Sequence, residues 1–254
     1  MEGLTESSKS YLSDAGVYDT FSKAEDAPGK VLEVLLPYAK GMHVLDAGCG
    51  TGKYTKALAP ITKSILGVDQ SAYQLELAKF NCGEVPGKSR GSTGEATPFG
   101  TKGAEIPQST RVNFVQADLT QTPLAPGSFD LVISCWVLGT ILDEKRRAEA
   151  VVELKRVLRP GGCIILVENG EGGEFEDLRG RVGDPQRKTA KYNAWLESQG
   201  FNIEARVATQ FEFPTVELAQ NTFRTIWGST LKHEPKHGII THNVMMYQWV
   251  SKGT

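Results

Sequence analysis

A glycine-rich segment, DAGCGTG at positions 46–52, carries the clearest chemical information in the sequence. It follows a short apolar run and precedes a helical pattern, and its glycines would let the main chain turn tightly and let a ligand contact the backbone. The N-terminus of the following helix would add unpaired N–H groups and a partial positive charge. The G-x-G-x-G spacing differs from the G-x-G-x-x-G of dinucleotide oxidoreductases. Because the Asp46 carboxylate would repel a pyrophosphate but could pair with an ammonium group, the segment predicts a ligand with no phosphate near the loop.

Two further carboxylates close later apolar runs, since Asp69 follows SILGV and Asp118 follows VNFVQA. A carboxylate after the second strand of an open α/β fold can accept two hydrogen bonds from a ribose diol. If residues 83–110 are an insertion, Asp118 follows Asp69 by one ordinary helix-plus-strand unit. With Asp46, these groups would end successive strands at one edge of a sheet, where open α/β folds bind ligands.

The elements that must position these residues alternate along the chain. The predicted strands are 43–47, 64–68, 112–117, 129–135 and 163–167, and the predicted helices are 28–39, 53–59, 72–81 and 143–158, with a turn at Arg159–Gly162. On the last helix, Asp143 is expected at the N-cap and Ala148, Val151, Val152 and Leu158 on the inner face. This alternation predicts a parallel sheet with helices on both faces.

The C-terminal part differs in pattern. A helix over 189–198, an extended run over 201–213, a helix over 214–227 and a final strand over 243–250 predict an antiparallel addition at the sheet edge.

The chain length of 254 residues favours one domain spanning 1–254 over two independent ones. Its N-terminal segment, 1–27, is polar, with Tyr11 and Tyr18 among the few large anchors. Residues 83–110 are rich in Gly, Pro, Ser and Thr, a composition that predicts a flexible surface insertion. A linker without function is the favoured interpretation of that insertion.

Charge and composition narrow the expected partners. The 28 basic and 30 acidic side chains give a net charge of −2, which offers no electrostatic support for a nucleic-acid or anionic-membrane binder. No apolar run reaches the roughly 18 residues that span a bilayer, and the first residues lack the apolar core of a secretory signal. The four cysteines lack zinc-site spacing, so we expect reduced thiols in a cytoplasmic protein without a metal.

Five segments together resemble the class I S-adenosylmethionine-dependent methyltransferases. They are VLDAGCGTG (44–52), LGVDQS (66–71), VQADL (115–119), FDLVISCWVLGTI (129–141) and LKRVLRPGGCIILVEN (154–169). They cover roughly residues 30–170 in the order expected of that family. The resemblance implies a Rossmann-like three-layer fold, with a mostly parallel seven-stranded sheet and an antiparallel last strand. It also implies S-adenosylmethionine as the cofactor.

The resemblance implies roles for residues around the glycine loop. Gly48, Gly50 and the nearby backbone would hold the methionine part of the cofactor, with Asp46 close to its amino group. Asp69 would bind the ribose hydroxyls, and Gln70 would lie against the adenine.

It implies further roles after the third and fourth strands. Asp118 would accept a hydrogen bond from the adenine amino group, with the Leu119 backbone beside it. Ser134, Cys135 and Trp136 would face the sulfonium and the acceptor. For Trp136, the sequence is equally compatible with a wall of the site and with an aromatic residue of the core. Tyr18 and Tyr11 belong to a segment that often covers the cofactor in this family, although a structural anchor is the alternative.

The implied reaction is direct displacement of the sulfonium methyl by an oxygen or nitrogen of a small-molecule acceptor. A protein or peptide acceptor, or cofactor binding without methyl transfer, are the alternatives. An acceptor hydroxyl would benefit from a base, and the candidates are Glu168 and His242. The late histidines His233, His237 and His242 could together offer a base or a loose metal site, but the polar stretch around them favours solvated loop residues. Four aromatics could wall an acceptor pocket or could pack the late helix onto the sheet; they are Phe211, Phe213, Phe223 and Trp227. The oligomeric state is open.

Overall fold

A seven-stranded sheet organises the protein. The computed structural model describes residues 15–83, 112–180 and 188–253. The strands are β1 (His43–Ala47), β2 (Ser64–Asp69), β3 (Val112–Gln116), β4 (Phe129–Cys135), β5 (Leu158–Asn169), β6 (Asn202–Glu212) and β7 (Ile239–Val250). Their order in the sheet is β3-β2-β1-β4-β5-β7-β6. The predicted mostly parallel α/β fold with an antiparallel last strand is confirmed.

Two of the described helices precede β1, and the others lie in the connections between strands. They are α1 (Ala15–Ala24), α2 (Lys30–Ala39), α3 (Lys53–Leu58), α4 (Ala72–Asn81), α5 (Glu144–Val157), α6 (Gly173–Leu178), α7 (Lys188–Ser198) and α8 (Val216–Trp227). Short 3-10 turns lie at Leu138–Thr140 and Gly228–Thr230. None of these helices, in the part of the chain that is described, is long and apolar enough to cross a membrane.

Contacts divide the chain into two compact units, of which one comprises residues 35–165 and 249–254. Within it, β1 pairs in parallel with both β2 and β4, and β2 pairs in parallel with β3. The apolar runs of β2 and β4 are buried almost throughout, as expected of inner parallel strands that are covered on both faces. Because the three parallel pairings share one direction, the carboxyl ends of β1, β2, β3 and β4 lie at one edge.

The other unit comprises residues 1–34 and 166–248, of which 15–34, 166–180 and 188–248 are described. Its β6 and β7 form an antiparallel pair, with a register irregularity between Ile203 and Ala205. Its core is aromatic, and the four aromatics considered as pocket walls lie in it with Phe21 and Phe175. They therefore pack α8 into the interior of this unit, and the pocket-wall interpretation is wrong for them.

Several predicted elements differ in detail from the structure. The predicted turn at Arg159–Gly162 is wrong, because these residues belong to β5, where the Ser251 N–H donates to the Gly162 carbonyl at 2.9 Å. Val152 was placed on the inner face of α5 but is 67% exposed, since one residue beyond the buried Val151 is rotated by about 100° around the helix. Helices α1 and α6 were not predicted.

Other predictions concern residues outside the described ranges. Tyr11 is one of them, and the predicted insertion falls almost wholly within the undescribed range 84–111. The single-domain interpretation and the covering role of segment 1–27 stay predictions.

Candidate functional site

The loop between β1 and α3 requires glycine at several positions. Gly48, Gly50 and Gly52 have φ angles of +79°, +54° and +81°, a region that L-residues with side chains rarely adopt. A Cβ on Gly48 would overlap the side chain of Val137, and one on Gly52 would lie 3.1 Å from the Cβ of Ala78. The glycines thus serve both the turn and the close approach of neighbouring segments.

Asp69, at the end of β2, holds this loop in place. Its Oδ2 accepts a hydrogen bond from the Gly50 N–H at 3.0 Å, and its Oδ1 accepts one from the Ser71 N–H at 2.9 Å. The Gly48 N–H also donates to the Val68 carbonyl, at 2.7 Å. A carboxylate offers about four acceptor positions, so fixing the loop is compatible with receiving ligand hydroxyls.

Asp46, the last buried polar residue of β1, is almost fully inaccessible to solvent. Its Oδ2 accepts a hydrogen bond from the Thr55 hydroxyl at 2.5 Å. Burial raises the pKa of Asp46 to about 6, against the opposing hydrogen bond from Thr55 and with a smaller contribution from the Asp69 charge. A cation placed beside this carboxyl would favour its ionised form, so the Asp46 carboxyl suits a positively charged group.

The third carboxylate, Asp118, follows β3 and is bound on both oxygens. Oδ1 accepts from the Thr120 N–H at 2.9 Å and from its hydroxyl at 2.8 Å, and Oδ2 accepts from Arg146 at 2.6 Å. Partial burial alone would raise the pKa of Asp118, but the Thr120 hydrogen bonds and the Arg146 charge lower it below its ordinary value. Leu119, beside it, is buried.

Sequence reasoning missed two residues here. Gln116, at the end of β3, donates from its side-chain amide to the Gln70 carbonyl at 3.0 Å and thereby joins the ends of β2 and β3. Arg146, in the first turn of α5, donates from its guanidinium to Asp118 Oδ2 and so links that helix to the end of β3. Neither role has a local sequence signature, because each depends on the register of neighbouring strands and on the position of α5.

The end of β4 adds a fourth segment to this edge. Ser134 is fully buried, and its hydroxyl donates to the Ala47 carbonyl at 3.0 Å, which fastens β4 to β1 just before the glycine loop. Cys135 is half-buried. Trp136 has a φ of +56°, and its ring centroid is 6.1 Å from that of Tyr54. A strained non-glycine residue next to a ligand loop is typical of functional sites.

The remaining candidates belong to the unit that contains β6 and β7. Tyr18 lies half-buried on α1, with its ring centroid 6.0 Å from that of Phe21. Glu168, at the end of β5, is buried and accepts from the Tyr192 hydroxyl at 2.8 Å. The expectation of a solvated loop is wrong for His242, which lies fully buried on β7 with Nε2 at 3.0 Å from Asn169 Oδ1. Its ring centroid is 5.0 Å from that of Phe211.

The other two late histidines are exposed and contact separate carboxylates. His233 lies 3.1 Å from Asp177, and His237 lies 3.4 Å from Glu174. Among the described residues, no group of three or more His, Cys, Asp or Glu side chains could hold a metal ion.

The residues at the edge formed by the carboxyl ends of β1 to β4 fit a nucleoside that carries an amino-acid group. Asp46 suits an ammonium group, Asp69 a vicinal diol and Asp118 the N–H edge of a base, while Gly48 and Gly50 allow close approach to the main chain. The two buried carboxylates next to the glycine loop, Asp46 and Asp69, disfavour a pyrophosphate there. The sequence-predicted residues of this set are therefore brought to one edge of β1, β2, β3 and β4.

Comparison with known proteins supports this chemistry. A family model described as a methyltransferase domain matches residues 45–166. An O-methyltransferase from Pyrenophora dematioidea is 32% identical over 140 residues, which cover 55% of this chain and 43% of that protein. A demethylmenaquinone methyltransferase from Staphylococcus aureus is 30% identical over 202 residues, which cover 74% of this chain and 73% of that protein.

Solved structures show the same fold. The N-methyltransferase NodS from Bradyrhizobium japonicum WM9, in complex with S-adenosyl-L-homocysteine, superposes with a TM-score of 0.58 at 14% identity and covers 97% of this chain and 98% of that one. The chain spans about half the length of several curated relatives that it matches.

Proposed function

Because the chain belongs to the class I S-adenosylmethionine-dependent methyltransferases, we propose that it methylates an oxygen or nitrogen of a small molecule. S-adenosylmethionine is its cofactor. The observation that carries the proposal is the carboxyl edge at which Asp69 holds the glycine loop through the Gly50 N–H, with the buried Asp46 beside it.

In this proposal, the glycine loop and two carboxylates bind the cofactor. Gly48 and Gly50 bring the main chain close to the methionine part, and Asp46 pairs with its ammonium group. Asp69 accepts hydrogen bonds from the ribose hydroxyls while it also fixes the loop. The support is the chemistry of the groups: an ammonium favours the ionised form of Asp46, whose pKa is about 6 in the free protein.

The adenine is proposed to lie between the ends of β2 and β3. Asp118 accepts a hydrogen bond from the adenine amino group, the Leu119 backbone lies beside the base, and Gln70 lies against its face. Ser134 and Cys135 are proposed to border the sulfonium. Ser134 is proposed to contribute by holding the end of β4 in place, because its hydroxyl donates to the Ala47 carbonyl.

The reaction requires little of the protein beyond the placement of the cofactor and the acceptor. When bound, the cofactor supplies an activated methyl group for in-line attack by the acceptor. The protein binds and orients the two reactants and excludes water. Glu168 and His242 remain the candidate bases for an acceptor hydroxyl, and both are buried and hydrogen-bonded in the protein.

The names of the relatives favour a small-molecule acceptor. One is an O-methyltransferase, and another is a demethylmenaquinone methyltransferase. The slightly acidic net charge offers no support for a nucleic-acid acceptor.

The test is a label-transfer experiment. The protein is incubated with methyl-labelled S-adenosylmethionine and a deproteinised metabolite extract, and products are separated by mass spectrometry. The expected result is label in a small molecule, lost in Asp46→Asn and retained in a surface control, Lys145→Gln. Label only in added protein or peptide would overturn the small-molecule assignment. Cofactor binding without any label transfer would overturn methylation itself.

A further inference from the structure

Arg146 links helix α5 to the carboxylate that follows β3. It lies in the first turn of α5, where its N–H donates to the capping Asp143 Oδ1 at 2.8 Å. Its guanidinium extends to Asp118 Oδ2 at 2.6 Å. The neighbouring Lys145 has an 87% exposed side chain, whose nearest carboxylate is Glu149 at 3.9 Å. Two adjacent basic residues therefore have different surroundings.

We propose that Arg146 is a positioning residue for adenine recognition, because it holds the Asp118 carboxylate in the orientation that accepts the exocyclic amine. This inference rests on the proposed function, in which Asp118 meets the adenine. Arg146 itself is not proposed to contact the reacting atoms. It acts through Asp118.

The hydrogen bonds at Asp118 explain why orientation matters. Oδ1 already receives two donors from Thr120, and Oδ2 receives one from Arg146. Since a carboxylate oxygen accepts about two hydrogen bonds, Oδ2 has the position suited to one further N–H donor. Arg146 fixes the direction of that position, and Thr120 fixes the other oxygen.

The exposure of Asp118 makes it available to a ligand. The side chain of Asp118 is 45% exposed, so its carboxylate can meet a base bound at the ends of β2 and β3 while Arg146 holds it. Without Arg146 the Asp118 carboxylate would rotate more freely, and a ligand would have to order it on binding.

An oriented carboxylate also selects between bases. Adenine presents an N–H donor at its exocyclic position, whereas hypoxanthine presents a carbonyl oxygen that a carboxylate repels. Arg146 should therefore raise the preference for the adenosyl ligand over its inosyl analogue. A merely structural ion pair would leave this preference unchanged.

The test measures affinities for S-adenosylhomocysteine and S-inosylhomocysteine by calorimetry in the chain of 254 residues. For Arg146→Gln we expect about three- to tenfold weaker binding of the adenosyl ligand, within the range for one charge-assisted hydrogen bond, and a smaller change for the inosyl ligand. Lys145→Gln, the matched control, should change neither. In an Asp118→Asn background, Arg146→Gln should cost less than in the wild type, because the two residues act together.

The outcomes separate this inference from the proposed function. If the wild type binds S-adenosylhomocysteine and Arg146→Gln binds it equally well, Arg146 does not position Asp118. Tighter binding by Arg146→Gln would show that the guanidinium competes with the base, which also overturns the inference. A fall in melting temperature for Arg146→Gln with unchanged base preference would assign the pair a structural role alone. Failure of the wild type to bind S-adenosylhomocysteine would overturn the proposed function together with it.

Discussion

At the scale of single residues, Asp46 has the most informative environment. It is a buried carboxyl with one hydroxyl partner, Thr55, and a second carboxylate, Asp69, within electrostatic reach. Burial raises its pKa from 3.8 to about 6. Its contribution to the stability of the unliganded protein is therefore fully present below pH 3.8 and is lost as the pH rises to about 6. A bound ammonium group reverses this preference.

This linkage predicts pH-dependent cofactor binding. In the proposed pairing, the ammonium group of the ligand favours the ionised form of Asp46, so binding below the pKa of Asp46 releases the proton of its carboxyl. The affinity for S-adenosylhomocysteine should therefore rise with pH up to about 6 and then level off. The slope below the pKa should approach about tenfold per pH unit. Calorimetry between pH 5 and 7 measures it.

Asp46→Asn is the control for this prediction. Its affinity should be lower above pH 6 and nearly independent of pH. A wild-type affinity that is flat across the same range would contradict the pairing of Asp46 with a cation.

The sequence predicted the positions of the three carboxylates at strand ends better than it predicted their hydrogen-bond partners. Asp46, Asp69 and Asp118 lie at successive strand ends, as their position after apolar runs indicated. That Asp69 also binds the Gly50 N–H, and that Ser134 donates to Ala47, could not be predicted, because both depend on distances between strands. Local patterns specify element type but not side-chain pairing across the sheet.

At the scale of elements, Asp26 joins helix α2 to strand β6. Its carboxylate accepts from the N–H groups of Val31 and Leu32, at 3.1 Å and 3.3 Å, and from the Thr209 hydroxyl at 2.7 Å. Asp26 and Thr209 are both buried. The start of α2 and the middle of β6 are thus held by one side chain.

Asp26→Ala should destabilise the protein by about 2 kcal/mol, since it removes a helix-start acceptor and leaves a buried hydroxyl without its partner. Chemical denaturation measures the change in the free energy of unfolding. Thr215→Ala is the matched control, because Thr215 caps α8 at an exposed position, with its hydroxyl accepting from the Leu218 N–H at 3.1 Å. It should cost less, about 1 kcal/mol. Equal losses in the two variants would show that the bond to Thr209 adds nothing.

Element boundaries were predicted well where apolar periodicity was strong. The observed β1, β4 and α4 match their predicted ranges in full. Helix α6 is six residues long, too short to show a helical period, although Phe175 and Leu178 on it are buried. The wrong prediction of a turn at Arg159–Gly162 has a different cause. Pro-Gly-Gly is typical of turns, but here strand pairing keeps these residues in β5.

At the scale of the whole molecule, the strand order brings the carboxyl ends of β1, β2, β3 and β4 to one edge of the sheet. The sequence predicted the α/β class and the antiparallel end, since both follow from the alternation of elements along the chain. It did not predict the aromatic core of the unit containing β6 and β7, where Phe21 of α1 packs against Phe211 of β6 with ring centroids 5.0 Å apart. Those contacts join residues far apart in sequence, so no local period reveals them.

The most direct test of the central claim is calorimetric titration of the purified protein with S-adenosylhomocysteine and, separately, with NADH. We expect binding of the first and none of the second, and a loss of about 1–3 kcal/mol of binding free energy for the first in Asp69→Ala. Binding of NADH, no heat with S-adenosylhomocysteine, or an unchanged affinity in a folded Asp69→Ala variant would contradict it.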